Sequence, residues 1–211
     1  MPGTVARGWL RDDAKRETGK ENGAFVAEFP VECDARLIKD GKEVDRVAAG
    51  DSVSVITNQT PFYGESGGQM GDAGTITGTN GLVLQVSDTG KPLGRLHAHN
   101  AVVASGALKV GDVVKLDIDV ARRDATRANH SATHLLHEAL RRRLGDHVTQ
   151  KGSMVSAERL RFDFSHPTAL SAEDLAVVEA EVNAEVRAND PVVTRLMSPE
   201  DADRKSTRLN S

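Results

Sequence analysis

Three histidines fall within eight residues in the stretch HSATHLLH, 130–137. His130 and His134 are four apart, so on a helix their imidazoles share one face, one turn apart. Two nitrogens placed in this way can converge on a zinc ion. The metalloprotease version of the spacing carries Glu directly after the first His; here Ser131 occupies that position, so no general base comes with the pair. The same spacing is also common on ordinary helix surface, and these residues alone leave both readings open. His137 lies on the same flank and reads as a partner of a ligand or as an exposed side chain.

A second candidate is TPFYGESGGQMGDAG, residues 60–74, with five glycines. Glycine at this density implies a tight backbone and close approach to another group. The stretch lacks the GxGxxG and GxxxxGK[ST] spacings, so no nucleotide loop is implied. A hairpin that needs positive φ would use the same residues. Gln150, in HVTQKGSMV, can donate and accept hydrogen bonds at once; as an isolated amide it says little.

The elements that must position these residues change character along the chain. Residues 1–27 are polar and weakly patterned, and read as a linker or a remnant. From about residue 28, short strands alternate with turn signals: Asp40-Gly41 inside ECDARLIKDGKEVDRV, Val53 and Val55 alternating with polar neighbours, Asn80-Gly81, and Val113–Ile118. His97 and His99 would share a face on a strand. Many short strands punctuated by glycine predict a small β-barrel over 28–120. At 119–124 the pattern becomes helical. Asp124 is expected to cap a helix running through the histidines, and Gly145 to end it. Strands are expected at HVTQKGSMV and RLRFDFSH. A capping box of Ser171 and Asp174 opens a helix burying Leu175, Val178, Val182 and Val186, which Asn189-Asp190-Pro191 stops. PVVTRLM reads as one more strand, so 121–203 should be α+β, with a helix pair on an antiparallel sheet. Residues 204–211 fit no pattern and read as a non-native tail.

Composition narrows the class. The chain has 211 residues, 38% hydrophobic and 27% charged, with 3% aromatic, so its core must rest on aliphatic side chains. No apolar run reaches membrane-spanning length, no secretory signal is legible, and Cys33 is the only cysteine. A cytoplasmic location is expected, without a disulfide or Cys-pair metal site. The net charge of −4 argues against a uniformly basic nucleic-acid binder. Yet Arg122–Arg161 holds nine basic residues and four acidic ones, a local net of +5. That stretch can meet phosphates. Equally, Arg141–Arg143 suit the C-terminal end of a helix dipole.

Taken together, TPFYGESGGQMGDAG, HSATHLLHEALRRRLGDHVTQKGSMV and RLRFDFSHP, in this order, resemble the editing domain of the alanyl-tRNA synthetases, over about residues 36–200. Threonyl-tRNA synthetases and the free-standing AlaX proteins share that domain. The resemblance implies an α+β fold in which a small, translation-protein-like β-barrel precedes the editing domain. It implies hydrolysis of tRNA(Ala) wrongly charged with serine or glycine, because a small synthetic pocket rejects neither well enough. It places His130 and His134 as two of four zinc ligands, Thr133 and Gln150 in the amino-acid pocket as the catalytic candidates, and Gly67 and Gly68 beside them. Arg141 and Lys151, from the basic stretch, would meet the acceptor end of the tRNA with its attached amino acid. Neither DNA nor a membrane is an expected partner.

The pattern also departs from that family. The family's other ligands form a CxxxH, and none follows His134; Cys33 lies far upstream. The activation domain that would bind ATP and magnesium is not in the sequence. The expectation is an internal fragment of an alanine-specific synthetase with half a metal site, inactive by itself. The competing readings are a free-standing AlaX-like deacylase and a non-catalytic tRNA-binding module.

Overall fold

The computed structural model describes residues 36–94 and 96–189, together with the backbone of three short strands nearer the N-terminus. These are β1 (Lys20–Glu21), β2 (Ala24–Phe25) and β3 (Val31–Glu32). The rest of the expected linker, the strand expected at PVVTRLM and the tail at 204–211 lie outside the described residues. Then come β4 (Arg36–Lys39), β5 (Lys42–Val44), β6 (Arg46–Ala48), β7 (Ser52–Ile56), β8 (Gly74–Gly78), β9 (Val83–Gly90), β10 (Ala98–Ser105), β11 (Ala107–Lys109) and β12 (Val113–Ile118). The second half is α1 (Val120–Leu144), β13 (Gln150–Val155), β14 (Leu160–Phe164) and α2 (Ala172–Ala188).

The molecule is α+β, as expected from the sequence. Eight strands form one antiparallel sheet in the order β3-β12-β8-β9-β10-β7-β4-β5, and β6 and β11 form a separate ribbon. Among the described residues no ladder joins β3 to β5, so the hydrogen-bonded closure expected of a barrel is not seen there. Asp40 and Gly41 both take positive φ, 52° and 73°, which gives the two-residue turn that matches the twist of β4 and β5. Alternation sets the buried face. Val53 and Val55 in β7, and Leu84 and Val86 in β9, join Leu37, Ile76, Val103, Leu116 and Phe62 in one apolar core. Phe62 enters that core from the glycine-rich stretch rather than from a strand.

Helix α1 starts earlier than expected. Its cap is Asp119, whose carboxylate accepts from Arg122 N at 2.9 Å, and not Asp124. Asp119 directly follows β12, with its N–H bound to Ala73 O at 2.8 Å, and no Gly or Pro in Val120–Arg123 resists helix. Asp124 is exposed, one turn inside, and pairs with Arg127. Gly145 ends the helix, its N–H bonding Arg141 O. The capping box of Ser171 and Asp174 opens α2, and Asn189 in the left-handed region closes it.

The second core gathers Ala139, Leu140, Val148 and Val178, with Leu136, Phe162, Phe164 and Val182 packed against it. The stripe expected on α2 is thus buried only at its centre. Leu175 and Val186 are 53% and 54% exposed. An ionic rim flanks that contact: Arg142 reaches Glu181 at 2.9 Å and Arg143 reaches Asp174 at 2.7 Å. Among the described residues no helix is long and apolar enough to cross a membrane.

Candidate functional site

Helix α1 carries His130 and His134 on successive turns, as their spacing requires. Their rings stack with centroids 5.1 Å apart and planes 22° from parallel. His134 is exposed and His130 half-buried. Burial, and then the neighbouring His134, push the His130 pKa below the ordinary imidazole value. Thr133 is buried between them, and its hydroxyl donates to Asn129 O at 2.8 Å. His137 is not exposed. Its ring lies against Phe162 at 5.1 Å, and Nε2 is buried without a partner among the described residues.

The glycine-rich stretch approaches β13, the strand that Gln150 begins; the pattern of the residues did not indicate this, although the resemblance set Gly67 and Gly68 beside the same pocket as Gln150. Gly68 has φ +84°, and a Cβ there would lie 2.5 Å from Ser153 O and Oγ. Only glycine fits so close to a neighbouring backbone. Val155 N donates to Gly68 O at 2.8 Å, and Met70 N to Val155 O at 3.0 Å. Between those bonds sits Gln69, whose Oε1 is 2.6 Å from His130 Nδ1. Gln150 starts β13, is exposed, and donates through Nε2 to Ser153 Oγ at 3.1 Å. Lys151 beside it is also exposed.

The fold therefore brings His130, Gly68 and Gln69 together beside β13, with Gln150 linked to Gly68 through Ser153; Thr133 is buried one turn further along α1. Arg141 stands apart. It lies eleven residues beyond His130, about 16 Å along the helix at 1.5 Å per residue, and pairs with Asp146 at 3.0 Å.

A further set of residues fixes the stretch to the helix and was not singled out in the sequence. The Asp72 carboxylate accepts from Tyr63 N at 2.6 Å and binds the Arg123 guanidinium, which also donates to Pro61 O at 2.7 Å. No sequence signal marks Asp72 and Arg123 as partners across 51 residues. Gln69 could have been noticed only as a polar side chain inside a run of glycines.

As a metal site the arrangement is partial. The two imidazoles suit zinc in type and spacing, and the engaged Nδ1 of His130 resembles the outer contact that orients metal-bound histidines. Among the described residues no three His, Cys, Asp or Glu side chains group as a metal site; Cys33 lies outside them.

Comparison with known proteins supplies the class. The model of the class II (A) tRNA synthetases matches residues 11–122, and the chain belongs to that family. The match covers the sheet and ends in the first turn of α1, before His130. Among individual proteins the chain is similar to alanine–tRNA ligases. That of Sphingopyxis alaskensis is 66% identical over 166 residues, 79% of this chain and 19% of that protein. That of Rhizorhabdus wittichii is 59% identical over 194 residues, 90% of this chain and 22% of that protein. The chain thus spans about a fifth of the length of the curated relatives it matches.

Proposed function

We propose that this chain is part of an alanine–tRNA ligase and carries part of its editing site, which hydrolyses the ester joining serine or glycine to tRNA(Ala). The observation that carries the reading is the pair His130 and His134 with Thr133 buried between them, faced by the glycine-rich stretch. His130 and His134 would hold zinc, which when bound supplies Lewis acidity at the ester. Thr133 and Gln150 would read the amino-acid side chain by hydrogen bonding, and Gly67 and Gly68 would let the backbone come close to it. Lys151, exposed beside Gln150, would meet the tRNA end, with Arg141 reaching it further along.

Two ligands make a weak zinc site, and no CxxxH follows His134 in the 211 residues. Metal analysis of the chain after dialysis should find little zinc; one tightly held ion per chain would overturn the two-ligand reading. Deacylation is tested in a full-length alanine–tRNA ligase bearing these residues. There Gln150→His should slow release of serine from Ser-tRNA(Ala), and unchanged release would remove Gln150 from the site. A non-catalytic tRNA-binding surface is less well supported. Six of the nine cations in 122–161, namely Arg123, Arg127, Arg141, Arg142, Arg143 and Arg161, already lie within ion-pair distance of carboxylates.

A further inference from the structure

We propose that Gln69 is a positioning residue: its amide oxygen accepts the Nδ1–H of His130, holds that tautomer, and leaves Nε2 as the nitrogen with a free lone pair. This deepens the reading given above and rests on it for the use to which Nε2 is put.

His130 Nδ1 and Gln69 Oε1 lie 2.6 Å apart. A neutral imidazole has one donor and one acceptor nitrogen, and whichever hydrogen bond one makes decides the state of the other. An amide oxygen can only accept, so Nδ1 carries the proton and Nε2 does not. The opposite tautomer would put a hydrogen on Nε2, where neither a cation nor a donated proton could be received.

The backbone fixes both partners to one short anchor. On the loop side, Ser66 and Gln69 bond each other's main chains at 3.2 and 3.1 Å, while Gly68 and Met70 bond Val155. On the helix side, Asn129 Nδ2 donates to Ser156 O at 2.9 Å and to Ala157 O at 3.2 Å. The neighbours of Gln69 and the neighbour of His130 are thus tied to three consecutive residues, 155–157. The separation of the two side chains is set by main-chain bonds on the loop side and by the Asn129 side-chain amide on the helix side, and not by their own attraction. The close approach of Gly68 to Ser153 gives the five-glycine stretch a specific task, which is to bring Gln69 into range.

The residue type fits the task. Glu at 69 would accept the same hydrogen bond but would favour a charged imidazolium by its own charge. Gln accepts without adding charge, which suits a histidine that must remain neutral to act as a ligand.

The test is long-range proton–nitrogen correlation of the histidines in the full 15N-labelled chain, at roughly pH 8, where imidazole is neutral. His130 should show Nδ1 protonated and Nε2 bare. Gln69→Met keeps the length of the side chain but removes the acceptor, and should move His130 toward the Nε2–H form. Gln69→Glu restores an acceptor and should return it to Nδ1–H, which separates loss of the bond from loss of the fold. Titration with Zn(II), followed at the same nitrogens, should be weaker in Gln69→Met by roughly 10–100-fold. An Nε2–H form in the parent chain, an unchanged tautomer in Gln69→Met, or Zn(II) binding at His130 with equal affinity in both chains would each overturn the proposal. If Zn(II) moves neither His130 nor His134 while the tautomer follows residue 69, the role of Gln69 stands and the zinc reading of the pair fails.

Discussion

His99 sits fully buried in the sheet, with both ring nitrogens committed. Nδ1 lies 2.8 Å from Val55 O, which can only accept, so Nδ1 carries the proton. Nε2 therefore accepts from the Thr60 hydroxyl at 2.7 Å, and that oxygen in turn accepts from Phe62 N at 3.1 Å. Burial pushes its pKa down to about 4. The unfolded chain binds a proton on this residue first, so stability is complete above the ordinary histidine pKa of about 6.5. It is lost as pH falls toward about 4 and levels below that. The loss should reach about 3 kcal/mol at 1.36 kcal/mol per pKa unit. Urea midpoints across that window check it, and His99→Gln should flatten the profile between those two values. The sequence showed only that His97 and His99 would share a face. In fact β10 begins at Ala98, and His97 rests against Gly64, where a Cβ would lie 2.8 Å from its ring. Burial could not be told from alternation alone, because the covering residues Thr60 and Phe62 come from a loop.

Among the elements, the glycine-rich stretch was legible in part. Its composition announced a close approach, but the partner is β13, more than eighty residues further on, and no local rule links the two. The difference between neighbouring glycines is testable. Gly67 has φ +60° with nothing within 4 Å of an added Cβ, so Gly67→Ala should cost only the backbone preference, about 1 kcal/mol. Gly68→Ala adds a collision with the Ser153 backbone and should cost about 3 kcal/mol, read as a larger fall in the urea midpoint. Equal losses would mean that the approach to β13 is not rigid. Helix α2 shows the opposite case. Its ends were legible because capping is local, while its burial was not. Four aliphatic residues at helical spacing define a stripe, yet only Val178 is buried, because spacing alone does not say which positions a neighbour covers.

Across the whole molecule, the sheet and the helical half each have their own apolar core, and the Asp72–Arg123 pair ties them together. The Asp72 side chain is 7% exposed and the Arg123 side chain 23%. Asp72→Ala would strand a half-buried guanidinium and free Tyr63 N, with an expected loss of about 3 kcal/mol. A double-mutant cycle with Arg123→Met should recover part of that loss, because it also removes the stranded charge; strict additivity would show that the pair contributes nothing of its own.

One residue, Asp119, separates the end of β12 from the start of α1. The junction therefore works as an index mark between two gears. The register of β12 on β8 fixes where α1 starts, and so contributes to the angular phase of its side chains. Adding a single residue after Asp119 would turn the helix by about 100° relative to the sheet. His130 would then swing away from Gln69 with its own sequence and helix intact, so the histidine motif is timed by a strand that contains none of it.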